Sequence, residues 1–422
     1  LQAQKEGTFK IGGAEIIAGN DKLISNSVTV EAVMGYRILT LNQISVRGLE
    51  RFPRDRYEVA SSLAHPDAIL LRSADLHSVE IAPSVLAVGR AGAGTNNVPV
   101  AALSKRGVPV FNAPGANSNA VKELVIASLF LAARNICQAW DFARGLSGDD
   151  KTIDEATEKG KKSFAGFELP GRTLGVIGLG AIGVEVANAA ERLGMRVIGY
   201  DPDITVQRAW QLSASIEQAR SLDELFSRSQ FVTVHIPLVE GTRGLVNSTR
   251  LQLMPEQAVL LNFSRAPIVD DAAVIAALDT GRLHAYICDF PKNALKDHPR
   301  VITLPHLGAS TGEAEENCAV MVADTLRDYL EHGNIRHSVN FPDASLPRPV
   351  GTRRIAVANS NVPNMVGQVS TLLAAAGLNI AELLNKSRGE YAYTLIDTEG
   401  TVDEALLGRI RAIEGVLSAR AL

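Results

Sequence analysis

The sequence predicts an α/β fold with parallel sheets, and three observations carry that prediction. From Tyr36 onward, short apolar runs alternate with stretches of helical spacing. The stretch Leu174 to Asp201, LGVIGLGAIGVEVANAAERLGMRVIGYD, reads as strand, glycine turn, helix and strand in sequence. At 422 residues the chain exceeds one ordinary core, so two or three domains are expected.

Taken in order, residues 1–33 are polar and glycine-rich and read as an N-terminal extension outside the fold, without the charged-then-apolar layout of a secretory signal. The first unit has predicted strands at Tyr36–Leu41, Ala68–Leu71, Val85–Gly89 and Val108–Phe111. Two loops rich in Gly and Asn follow its last two strands, Gly89 to Asn97 and Asn112 to Asn119. Ordinary turn chemistry accounts for either loop alone. Two on consecutive strands, at sheet ends where α/β proteins place ligands, point to binding. One helix is predicted from about Ala120 to Leu146, then a charged loop over 147–171.

The second unit, 172 to about 310, has later strands at Phe231–His235, Ala258–Asn262, Ala285–Cys288 and Val301–Leu304. A long helix covers Gly312 to His332, and the four prolines of 341–351 make a stiff linker. Residues 353–422 read as a small βαββαβ module of ferredoxin-like type.

Composition narrows the function. Hydrophobic residues make up 46% and charged residues 21%, the balance of a soluble globular protein. With 46 acids against 42 bases and no basic run, neither nucleic acid nor an anionic membrane is an expected partner. Cys137, Cys288 and Cys318 are widely spaced, which fits reduced thiols in the cytoplasm and gives no metal pair.

The chemistry is read from three places. Gly178, Gly180 and Gly183 fill G-x-G-x-x-G, with Ala181 and Ile182 between them. A phosphate is favoured at such a turn, because first-turn N–H groups and the helix dipole face it. Asp201 follows 23 residues after Gly178, at the end of the next strand, where a carboxylate accepts ribose hydroxyls and repels a 2′-phosphate. This context predicts NAD. Arg265, in LLNFSRAPIVD, and His306, in ITLPHLGAS, each lie just past a strand of the same sheet. Arginine offers a charged fork for a carboxylate, and histidine exchanges a proton near neutrality. A surface ion pair or a structural histidine would explain either one singly; the pair favours catalysis. His235 sits similarly, nearer the adenine half, and reads as structural.

These residues, together with RAGAGTNN (90–97), NAPGANSNAVKEL (112–124), HIPL and TRGLVN (235–247), NFSRAPIVD (262–270) and PHLGAST (305–311), make the chain similar to the D-2-hydroxyacid dehydrogenase family from about Met34 to Leu422. Within that family it resembles the phosphoglycerate-oxidising branch with a C-terminal ACT domain. The resemblance implies two Rossmann-like lobes: a substrate-binding lobe of residues 34–139 and 311–340, and an NAD-binding lobe of 140–310. It also implies a linker at 341–352 and an ACT domain at 353–422. The implied activity is NAD-dependent oxidation of 3-phosphoglycerate, the first committed step of L-serine synthesis, in a homo-oligomer.

The resemblance assigns Arg265 to the substrate carboxylate and His306 to acid–base work. It places Arg72, Ser73, Gly92 and Asn112 around the substrate, and Phe263, Ser264 and Asp289 with Arg265 at the nicotinamide end. Asn359, Asn361 and Asn379 fall at the positions where the family's module binds L-serine as effector. Two departures stand out. Ala266 replaces the usual glycine after the arginine. The family's glutamate that orients the histidine is missing from Asp289-Phe290-Pro291-Lys292-Asn293-Ala294-Leu295, so either Asp297 takes its place or no residue does. The rival readings are a dehydrogenase for another small D-2-hydroxy acid and a non-catalytic NAD-sensing scaffold.

Overall fold

This computed structural model describes residues 35–422 in full and, before them, the backbone of four short strands. Those strands are Gly7–Ile11, Glu15–Ala18, Asp21–Ile24 and Val28–Ala32, the first pairing with the fourth and the second with the third. No element was expected there. The alternation in Val28-Thr29-Val30-Glu31 is the strand signal that the glycine content obscured.

The chain divides into two compact units, one of residues up to Pro114 with Glu315–Leu422, the other of Gly115–Ala314. The first contains a five-stranded parallel sheet in the order Tyr57–Ala60, Tyr36–Leu41, Ala68–Leu71, Ala87–Arg90, Val110–Phe111. Tyr57–Ala60 was missed because it is a short edge strand whose Glu58 faces water. The helix Gly312–His332 ties its later turns to this sheet. Tyr36 donates to Leu330 O at 2.7 Å, and Tyr57 donates to Glu331 Oε1 at 2.6 Å.

The C-terminal module lies in the same unit. Its antiparallel sheet runs Asn379–Arg388, Tyr391–Glu399, Arg353–Ser360, Val416–Ala421, with helices Met365–Ala375 and Glu404–Arg411, completing the expected βαββαβ order. Ile355, Val357, Val369, Leu373, Ile396 and Ile410 form its core. The predicted stiff linker is partly packed, with Phe341 and Ala344 buried. Arg354, wholly buried, makes two 2.7 Å bonds to Asp397 and donates to His332 O.

The second unit holds a seven-stranded parallel sheet in the order Glu217–Gln218, Arg196–Tyr200, Thr173–Ile177, Phe231–Val234, Ala258–Asn262, Leu283–Cys288, Val301–Thr303. Chain order reverses beside Thr173–Ile177, and α/β proteins bind ligands outside the strand ends at such a reversal. The apolar runs are buried on both faces, which is why they read as continuous rather than alternating.

Two expectations fail here. The helix predicted over 120–146 is two helices, Ser118–Ala133 and Ile136–Gly145. Asn135 breaks it in the left-handed conformation, at φ 49°. Val121, Val125 and Leu129 of the first helix belong to the core of the second unit. The charged loop over 147–171 contains the helix Asp150–Gly160, started by Asp149 accepting from Thr152 N.

Candidate active site

The glycine turn is fixed by backbone geometry. Gly178 sits at φ 89°, and a Cβ there would lie 2.6 Å from His235 O. A Cβ on Gly183 would lie 1.9 Å from Gly178 O. At Gly180, the N-cap of the helix Ala181–Arg192, a Cβ would meet nothing within 4 Å. Two glycines are thus required by the protein's own packing, while the third leaves the turn's mouth open. The first-turn N–H groups at Ala181, Ile182 and Gly183 have no intrahelical acceptor. This cradle fits a pyrophosphate. Asp201 accepts from Leu179 N at 2.8 Å and from Asp203 N at 2.9 Å, so it braces the turn while keeping lone pairs for further donors.

Two more loops leave the same sheet. Asn262, fully buried at a strand end, accepts from Ser264 N at 3.1 Å and donates to Arg265 O at 3.0 Å. Ser264 also donates to Ile236 O, and Phe263 is buried. The main chain at Arg265 is therefore clamped, while its side chain is exposed and spends one donor on Ser264 O. The short turn Ala266–Ile268 follows directly, with Pro267 in its first turn.

Asp289 is 2% exposed and accepts from Leu307 N and Gly308 N, both at 2.7 Å. Its carboxylate thus holds the loop that carries His306. His306 itself is exposed, in the left-handed conformation at φ 57°. Its ring stands edge-on to Phe290, with centroids 5.5 Å apart and planes at 73°. Among the described residues no side chain hydrogen-bonds to that ring. Asp297 does not replace the missing glutamate here. It is exposed and paired with Lys296 at 2.6 Å. His235 bonds Thr233 Oγ1 at 2.9 Å, and desolvation pushes its imidazole down to about 3, so it stays neutral.

In the first unit, Arg72, Ser73, Gly92 and Asn112 come together at the ends of three adjacent strands. Asn42 Oδ1 accepts from Ser73 N at 3.0 Å and also from Ala74 N. Asn97 Nδ2 donates to Arg72 O and Ala74 O, and Arg90 Nε donates to Arg72 O. Ala113 N donates to Gly92 O, and Asn112 Nδ2 to Ala93 O. The Arg72 guanidinium pairs with Glu315, the first residue of the helix Gly312–His332 that belongs to this unit. Sequence reasoning missed Asn42, Asn97, Asn262 and Glu315. A polar residue closing an apolar strand was the available signal for Asn262.

In the C-terminal module, Asn361 and Asn379 are exposed and bond Gly389 O and Glu399. Asn359 is buried, its Nδ2 donating to Ser360 O and its Oδ1 without a partner. Among the described residues no group of three or more His, Cys, Asp or Glu could hold a metal, and no helix is long and apolar enough to cross a membrane.

Comparison with known proteins agrees with this geometry. The profile of the "D-isomer specific 2-hydroxyacid dehydrogenase, NAD binding domain" family matches residues 129–308. D-3-phosphoglycerate dehydrogenase of Haemophilus influenzae is 34% identical, covering 82% of this chain and 83% of that protein. The Escherichia coli protein of the same name is 33% identical, covering 82% and 83%. An NAD+-bound 3-phosphoglycerate dehydrogenase of Entamoeba histolytica shares the fold, with a TM-score of 0.56 at 23% identity over 72% of this chain and 99% of that one. D-mandelate dehydrogenase of Rhodotorula graminis also shares it, at 0.63 and 22%, over 75% and 100%. With its glycine turn, its two strand-end loops and a relative matched across most of both lengths, the chain belongs to the D-3-phosphoglycerate dehydrogenase family, which carries the NAD-binding domain of the D-2-hydroxyacid dehydrogenases.

Proposed function

We propose that this chain oxidises 3-phospho-D-glycerate to 3-phosphohydroxypyruvate with NAD, in the pathway to L-serine. The observation that carries the reading is the bracing of the Arg265 and His306 loops by the buried Asn262 and Asp289, at strand ends of the sheet that bears the glycine turn. NAD, held at the glycine turn, would supply the acceptor for the hydride leaving C2 of the substrate. His306 removes the hydroxyl proton. Arg265 holds the carboxylate and draws electron density from the carbonyl that forms. Within the first unit, Arg72, Ser73, Gly92 and Asn112 are its substrate ligands, with Arg72 exchanging Glu315 for a substrate anion. Gly178 to Gly183 and Asp201 hold the cofactor.

Steady-state assay of the purified chain tests this. Turnover with 3-phosphoglycerate and NAD is expected, with NADP and D-glycerate each far poorer. Equal efficiency with D-glycerate would favour another small D-2-hydroxy acid as substrate. No turnover with either, but tight NADH binding, would favour the sensing scaffold.

The C-terminal module reads as an ACT domain that takes L-serine between paired copies in a homo-oligomer. The exposed amides of Asn361 and Asn379 support this, because each can donate to and accept from an amino acid. Calorimetry on the intact chain should show serine binding that Asn361→Ala weakens. No heat and no inhibition at millimolar serine would leave the module as an assembly element. Three free cysteines support a cytoplasmic setting.

A further inference from the structure

Within the first unit, the strand Val416–Ala421 of the C-terminal module lies along the lobe that carries Arg72. Ser418 Oγ donates to Gly107 O at 3.1 Å, and Arg420 donates to Tyr329 O and Leu330 O at the end of the helix Gly312–His332. Along this seam is a cavity of about 390 Å³. That is near the lower end of small-molecule sites, roughly 300–1,000 Å³. Arg106 from the lobe and Arg411 and Arg420 from the module line it, and no acidic residue does.

Each guanidinium is held in place. Arg106 donates to Ile81 O at 3.0 Å and to Ala82 O at 2.8 Å. Arg411 Nε donates to Ala419 O at 2.9 Å, and its Nη1 meets Glu404. Arg420 lies over the Tyr329 ring at 4.2 Å. Its Nε is buried without a hydrogen-bond partner.

Capping the helix end accounts for Arg420 alone; Arg106 and Arg411 do not bond there. Three like charges around one partly desolvated space repel each other, although Glu404 offsets Arg411 and Asp67 lies within electrostatic reach of Arg420. An unmade hydrogen bond on a buried cationic N–H adds to that cost. A ligand bearing two or more negative charges would relieve the repulsion, because a guanidinium fork matches phosphate and carboxylate alike.

We propose that this seam is a binding site for a small polyanionic metabolite, a phosphate ester or a polycarboxylate, held between the lobe and the C-terminal module. The site is separate from the dehydrogenase reading and does not depend on it. One wall belongs to each part, so occupancy raises the stability of their association by mass action.

The test uses the full chain bearing Arg265→Gln, which weakens anion binding at the proposed active site. Inorganic phosphate and, separately, citrate are titrated at low ionic strength, by calorimetry and by melting temperature. Saturable heat and a raised Tm are expected. Tighter phosphate binding identifies a phosphate ester as the ligand class, and tighter citrate binding a polycarboxylate. Arg106→Gln and Arg411→Glu, one on each wall, should each weaken binding about tenfold or more. Arg106→Lys, which keeps the charge, should retain most of it. Arg411 is 43% exposed, so its replacement tests the site even where an Arg106 variant folds poorly. No saturable heat with either anion, or an affinity that neither Arg106→Gln nor Arg411→Glu changes, overturns the proposal.

Discussion

The glycine turn of the second unit and the Arg72 cluster of the first are both loops at the ends of parallel strands, but they are held by different means. At the turn, the backbone conformation itself demands glycine, at Gly178 with φ 89° and at Gly183 with Gly178 O in the way of a Cβ. Around Arg72, positive φ occurs too, at Asn42 (70°) and Gly92 (155°), but most of the holding is done by side chains from other segments. Asn42 takes two N–H groups, Asn97 gives to two carbonyls, and Glu315 pairs with the guanidinium. A site fixed by backbone geometry is written in one short motif. A site fixed by side-chain hydrogen bonds is spread over residues whose spacing carries no pattern.

The comparison is tested most strongly where the two regions are given different jobs. His306→Ala should lower kcat by roughly two to four powers of ten, with little change in NADH affinity, the usual scale of acid–base catalysis. Arg72→Gln should mainly raise KM for substrate, by about tenfold to a hundredfold, the worth of a charged hydrogen bond. Steady-state kinetics would show it. A large fall in kcat for Arg72→Gln would mean that the cluster takes part in the chemistry rather than in holding substrate.

Next in size is a pair of like substitutions within the turn. Gly183→Ala forces a Cβ onto a carbonyl oxygen and should cost about 3 kcal/mol or more, with loss of NADH binding. Gly180→Ala should leave Tm nearly unchanged and weaken NADH by about tenfold. Thermal melts with NADH fluorescence titration separate the two outcomes. Equal loss of stability in both would show that the turn is not held by backbone geometry in the way argued.

A smaller effect is expected at Asp289, where the second unit too relies on a side chain. Asp289→Asn keeps one acceptor but turns an amide NH2 toward Leu307 N or Gly308 N. One unmade buried bond costs about 1–3 kcal/mol and should loosen the His306 loop, lowering kcat about tenfold with KM nearly constant. If kcat is unchanged, packing against Phe290 suffices to place the histidine.

The last effect concerns pH. The folded chain binds a proton at His235 only near pH 3, whereas the unfolded chain binds one near 6.5. The unfolded state therefore holds more protons between those values. The stability that the neutral ring contributes is complete above about pH 6.5 and is lost as pH falls from there toward 3. Denaturant unfolding at a series of pH values should show this slope in the parent and a shallower one in His235→Gln.

The sequence by itself determined the parallel sheet of the second unit, the dinucleotide turn, and Arg265 and His306 as the strand-end pair. Buried parallel strands read as apolar runs, and glycines forced by sterics cannot be substituted, so both signals are local. It also determined the βαββαβ order of the last module. Only the tertiary structure decided the rest. It showed that Asp297 is taken by Lys296, that Asp289 holds the His306 loop, that Asn135 breaks a long helix, and that the C-terminal module packs on the lobe carrying Arg72. The physical reason is shared by the Asp289 contact and the docking of the module. A carboxylate or an arginine has several acceptable partners, and which one it meets depends on the path of chain elements distant in sequence.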